Sequence, residues 1–65
     1  MNIQPQLIRK QEAAKFLSMP VSTLEKRTAS KAIPHLKDGS SVYYDVTDLH
    51  RWIEAKKVPV AAESN

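Results

Sequence analysis

The chain has 65 residues, a single glycine, no cysteine and a formal net charge of +3. That length allows one small domain, and without cysteine neither a disulfide framework nor a cysteine-based zinc site can staple it. The longest apolar runs are far short of the roughly 20 residues that span a bilayer, and the opening MNIQPQLIRK lacks the apolar stretch of a secretory signal, so a cytoplasmic location with no membrane partner is expected.

Residues 1–6 are polar around one proline and read as a flexible arm. KQEAAKFL, residues 10–17, consists of good helix formers with Ala13, Phe16 and Leu17 at i, i+3 and i+4, which predicts a first helix. Arg9 stands where a capping Ser, Thr or Asp would be expected. Pro20 in SMP pushes Met19 out of helical geometry and suits the first turn of a new helix. The following PVSTLEKRTASKA, residues 20–32, places Val21, Leu24 and Thr28 on one stripe, with Ser22, Thr23 and Lys26 opposite and Glu25 and Arg27 on the flanks. Two short helices joined by a tight turn predict a helix-turn-helix.

The only glycine, Gly39, sits in HLKDGSSVYYD. Asp-Gly ahead of a β-branched and aromatic run is a hairpin signal, because glycine accepts the positive φ of a tight turn. Leu36, Val42 and Tyr44 are expected on the packed face of that hairpin, and His35, Lys37, Ser41 and Tyr43 on the other. DVTDLHRWIEAKK then predicts a last helix, with Asp45 as N-cap, Asp48 three residues on, an apolar stripe of Leu49, Trp52 and Ile53, and Lys56 and Lys57 at the cation-favouring end. The tail has too few large apolar groups to order itself. The organisation expected is therefore an arm at 1–6, one domain at 7–57 and a mobile tail at 58–65. Its core candidates are Leu7 or Ile8, Ala13, Phe16, Leu17, Val21, Leu24, Ile33, Leu36, Val42, Tyr44, Val46, Leu49, Trp52 and Ile53.

An enzyme needs a pocket and a pair of groups to do chemistry. His50 and Glu54 are spaced as a solvated i, i+4 contact, and Asp45 and Asp48 serve the start of the last helix. So small a chain leaves little room for a cleft of about 300 Å³. No catalysis, no cofactor, no metal and no small-molecule substrate are expected.

Between Pro20 and Ser41 lie Lys26, Arg27, Lys31, His35 and Lys37 against Glu25 and Asp38. This excess suits a polyanion, and equally a lysine-rich solvated surface. On the second helix, Ser22 and Thr23 give short donors near its start, while Lys26 and Arg27 reach further one turn later. A helix in a major groove needs that arrangement, although an ordinary amphipathic helix presents it too. Glu25 suits a cytosine amino group, or else restrains Lys26 or Arg27. On the hairpin, His35, Lys37, Ser40, Ser41 and Tyr43 are the candidate contacts, with cross-strand packing the other role open to Tyr43. The combination of a helix-turn-helix with a basic-tipped hairpin favours duplex DNA.

Glu12-Ala13-Ala14 with Leu17, then Ser22-Thr23-Leu24, Ile33-Pro34, the turn at Gly39, and Asp48-Leu49 with Trp52-Ile53 resemble, in order and spacing, the excisionase-type winged helix-turn-helix family, minimal relatives of the MerR regulators. The resemblance covers about residues 7–55. It implies an α+β winged helix-turn-helix that binds double-stranded DNA, with the second helix in the major groove and the wing on phosphates or the adjacent minor groove. By position it assigns Ser22, Thr23, Lys26 and Arg27 to the helix contacts and Lys37, Ser40 and Ser41 to the wing. It further implies phage or mobile-element excision, cooperative self-association on bent DNA and a tyrosine- or serine-type integrase as partner. A small prophage transcription regulator is the alternative, and a winged-helix protein-interaction module a further one. Pro20, Val21 and Ser40-Ser41 differ from the capping serine, the cation and the Gly-Arg pair frequent in that family.

Overall fold

The run of good helix formers after Arg9 becomes the first of three helices. The computed structural model describes residues 6–59. Its elements in chain order are β1 (Leu7–Ile8), α1 (Lys10–Phe16), α2 (Val21–Ala29), β2 (Leu36–Asp38), β3 (Ser41–Asp45) and α3 (Val46–Lys56). The strands form one antiparallel sheet in the order β1-β3-β2, and this is the architecture of a small α+β winged helix-turn-helix. Residues 1–5 of the expected arm and 60–65 of the expected tail lie outside the described residues. Gln6 is tied into the domain, since its carbonyl accepts from the Val46 N–H at 3.0 Å. No helix among the described residues is long and apolar enough to cross a membrane.

Both helices of the helix-turn-helix end in the same way, and Met19, ahead of Pro20, lies outside α1 as expected. Ser18 follows the α1 C-cap, Leu17, with φ of 56°, and Lys31 follows the α2 C-cap, Ser30, with φ of 60°. Met19 N–H donates to the Ala14 carbonyl and Ser18 N–H to Lys15; after α2, Ala32 N–H donates to Arg27 and Lys31 N–H to Thr28. These paired bonds are Schellman motifs, which satisfy carbonyls left over at a helix end. They stop α2 at Ala29, three residues before the sequence pattern runs out at Ala32. Non-glycine residues in left-handed geometry cost on the order of 1 kcal/mol each, so the carbonyls they satisfy and the turn they create outweigh that cost. Neither α1 nor α2 has a side-chain cap at its start; Arg9 and Pro20 both stand there in extended geometry.

The hairpin turns at Gly39-Ser40. Asp38 pairs with Ser41, Lys37 with Val42 and Leu36 with Tyr43. Gly39 has φ of +62°, and Ser40 is not among the residues of positive φ, which is the pattern of a type II′ turn with glycine first. A two-residue loop necessarily pairs even-numbered positions of β2 with odd-numbered positions of β3. Leu36 therefore shares the outer face with Tyr43, and Lys37 shares the inner face with Val42 and Tyr44, the reverse of the expected assignment. Leu36 is accordingly 45% exposed. β1 adds Leu7 to the outer face opposite Asp45 and Ile8 to the inner face opposite Tyr44.

β3 passes straight into α3. Asp45 is both the last residue of the strand and the N-cap of the helix, and its carboxylate accepts from the Thr47 N–H at 2.9 Å. The core gathers Ala13 and Ala14 of α1, Leu24 of α2, Ile33, Tyr44 of β3 and Leu49 of α3, with Ile8, Leu17, Met19, Val21, Val42 and Trp52 packed around it. Two alanines on α1 allow its backbone to approach α2 closely. Phe16, expected inside, lies 39% exposed against His50 in an edge-to-face contact with centroids 5.3 Å apart. His50 thus faces Phe16, while Glu54 pairs with Lys57 at 2.7 Å in place of the expected i, i+4 contact. Tyr44 is the largest side chain in the core, and its hydroxyl is satisfied by Thr28 Oγ1 at 2.6 Å. That bond joins the centre of the sheet to α2 and so fixes how helix and wing sit side by side.

Candidate nucleic-acid interface

α2 buries Leu24 and half-buries Val21 and Thr28. At about 100° per residue the position diametrically opposite this stripe is Lys26, with Ser22, Ala29 and Ser30 exposed on the same arc. Thr23 is half-buried at its margin. Glu25 and Arg27 lie one residue to either side of Lys26 and therefore mark the two flanks of the exposed face. Each flank is engaged by a neighbouring element. Glu25 forms an ion pair with Lys10 at the start of α1, with both side chains about half exposed (50% and 51%). The guanidinium of Arg27 lies 5.9 Å from the centroid of the Trp52 ring on α3.

On the Glu25 side an open groove separates α2 from the hairpin. Glu25, Thr28 and Ala29 line one wall, and Ser40, Val42 and Tyr44 the other, with Arg9 and Lys10 at its rim. The Thr28–Tyr44 hydrogen bond crosses between the two walls. The helix and the hairpin tip are thus adjacent projections from one scaffold. Pairing Glu25 with Lys10 offsets the carboxylate that would otherwise repel a phosphate near this rim.

The hairpin candidates divide between its faces. Lys37 and Ser40 are exposed, and Lys37 lies on the sheet face that carries Val42 and Tyr44. Ser41 and Tyr43 are half-buried on the outer face, where Tyr43 pairs with Leu36 and carries the Arg9 guanidinium 4.8 Å from its ring centroid. His35 is half-buried before β2, with Nδ1 2.9 Å from the Ile33 carbonyl oxygen. A carbonyl only accepts, so that nitrogen carries the proton and the ring braces the turn into the hairpin. Among the described residues no three His, Asp or Glu side chains gather into a set that could hold a metal ion.

A family model described as a helix-turn-helix domain matches residues 7–57. The chain belongs to that helix-turn-helix domain family. No curated protein and no solved structure shows a significant match to it. Membership supports DNA as the partner, with α2 as the second helix of the motif and the β2–β3 hairpin as its wing.

The helix-turn-helix domain exposes Ser22 and Lys26 on α2, brings Ser40 to the groove beside it, exposes Lys37 on the sheet face that carries Val42 and Tyr44, and sends Ser41 and Tyr43 to the opposite face of the wing. Two further groups border the candidate interface and carry little sequence signal. Arg9 and Lys10 stand at the rim of the groove because β1 pairs with β3 just before them. Trp52, which the sequence pattern assigns to the core, is half-buried and reaches the flank of α2.

Proposed function

We propose that this helix-turn-helix domain reads a specific duplex sequence with α2 in the major groove while the wing holds the neighbouring backbone, and that it acts as an excisionase of a phage or mobile element. The observation that carries the reading is the shared groove: the Glu25–Ala29 edge of α2 and the tip of the wing at Ser40 border the same opening, and the Thr28–Tyr44 hydrogen bond links α2 to β3 across it. Lys26 at the centre of the exposed arc reaches base edges, and Ser22 near the helix start donates to phosphate. Lys37 and Ser40 on the wing add contacts to the backbone. The chain does no catalysis in this role.

One module of this size covers only about 600–1,000 Å² of DNA interface, which is too little for useful specificity alone. Several copies on adjacent sites, bending the DNA between them, supply the remainder, and the bent assembly directs an integrase. The test is an excision assay with the integrase of the same element, run beside a reporter driven by the DNA flanking the gene. Integrase-dependent excision that rises with the protein is the expected result. An altered reporter without excision identifies a transcription regulator instead. Retention on a partner protein, with no mobility shift on any duplex at low salt, identifies an interaction module.

A further inference from the structure

We infer that Trp52, with Arg27 and Lys56 on its ring, forms a second phosphate-holding edge on the flank of α2 away from the wing. The inference rests on the DNA-binding reading above. Its starting point is the Trp52 side chain, which does two things at once. The indole N–H donates to the Ala32 carbonyl at 3.0 Å, tying α3 to the Schellman turn that ends α2. The ring itself carries two cations, with Arg27 Cζ at 5.9 Å and Lys56 Nζ at 5.6 Å from its centroid. Both distances fall within the range in which a cation is attracted to the negative face of an aromatic ring.

A ring attracts a cation without neutralising it. Among the described residues the two ion pairs join Lys10 to Glu25 and Lys57 to Glu54, so neither Arg27 nor Lys56 is matched by a carboxylate there. Lys57, next in sequence to Lys56, is matched. A cation at the end of α3 is favoured by the helix dipole wherever on the circumference it lies. The dipole does not explain why Lys56 shares one ring with a cation from α2. Two unneutralised positive groups brought to one aromatic side chain raise the local positive potential, which an approaching phosphate lowers. Attraction to the indole favours the rotamers that hold both cations at this edge, which reduces the entropy lost on binding.

Position completes the case. Glu25 and Arg27 lie on opposite sides of Lys26, the first toward the wing groove and the second toward Trp52. A helix seated in a major groove about 12 Å wide has a sugar-phosphate backbone on each flank. The wing meets one of them, and the Arg27–Trp52–Lys56 edge is placed to meet the other.

Lys56 is exposed, so Lys56→Ala leaves the core untouched and is the deciding variant. The full chain and the variant are titrated with a short mixed-sequence duplex over a series of salt concentrations, with Lys37→Ala as the wing comparison. Far-UV circular dichroism and its thermal melt check that the free variants are folded. Each phosphate contact contributes about 0.9 to the slope of log affinity against log salt. Lys56→Ala is expected to lower that slope by about 0.9, so the affinity lost between about 50 and 200 mM salt becomes about threefold smaller. A wild-type slope in Lys56→Ala, with the slope lowered in Lys37→Ala, overturns the second edge and leaves the DNA-binding reading intact. A wild-type chain that binds no duplex at low salt removes both.

Discussion

Leu24→Ala is expected to abolish the cooperative unfolding transition of the domain. Leu24 is 0% exposed and sits where α1, α2 and the sheet meet, among Ala13, Ala14, Ile33, Tyr44 and Leu49. Removing a buried leucine side chain costs about 2–5 kcal/mol, because the transfer energy is lost and the cavity collapses only in part. Two of its neighbours are alanines, which have no side-chain reach to fill the space. A domain of this size rarely has more than about 3–5 kcal/mol of stability, so this one substitution removes most or all of it. No disulfide offsets the loss, since the chain has no cysteine. Urea titration followed by Trp52 emission gives the answer. Leu36→Ala, on the exposed outer face of the wing, is the comparison and is expected to change stability by under about 1 kcal/mol. A Leu24→Ala variant as stable as Leu36→Ala would contradict the packing described.

Lys26→Ala is expected to weaken binding to the cognate duplex by about 1–3 kcal/mol, roughly 5-fold to 150-fold, and to leave binding to unrelated duplexes far less affected. Lys26 lies at the middle of the exposed arc of α2, without an ion pair among the described residues, and is the side chain aimed most directly away from the core. Arg27 stands on the flank over Trp52, so Arg27→Ala is expected to weaken cognate and unrelated duplexes alike. Once footprinting on the DNA flanking the gene has defined the cognate site, mobility shifts at one fixed salt concentration, on that site and on a scrambled copy, separate the two effects. An unchanged ratio between cognate and scrambled affinity in Lys26→Ala would take this side chain out of sequence reading.

Much of the architecture was legible in the residues because single side chains announced it. Asp45 ahead of the Leu49, Trp52 and Ile53 stripe marked α3 and its cap, and Gly39 marked the turn of the wing. The ends of α1 and α2 were less legible. Their left-handed residues are Ser18 and Lys31, and neither type advertises positive φ as glycine does. β1 spans two residues, too short for any alternation to show, and it forms only because β3 offers it an edge. The face of Leu36 follows from the two-residue loop: whether the turn falls at Asp38-Gly39 or at Gly39-Ser40, Leu36 meets an odd-numbered residue of β3, and the expected face would need a loop of odd length. At the site, the α2 residues followed from helical periodicity. Trp52 did not, since an aromatic at i+3 of an apolar stripe reads as core whether or not it also carries cations. Arg9 and Lys10 reach the groove through the β1–β3 pairing, a contact between segments far apart in the chain.

The most direct test of the whole account is a two-dimensional amide NMR titration of the full chain with a short mixed-sequence duplex at low salt. The backbone resonances of Ser22 and Lys26 on α2 and of Lys37 and Ser40 on the wing are expected to move together at the same ratio of DNA to protein. Those of Leu7 on the outer sheet face, and of Phe16 and His50 on their shared edge, are expected to stay in place. Movement confined to Leu7, Phe16 and His50, or movement on α2 with the wing tip silent, would contradict a joint grip by helix and hairpin on one duplex.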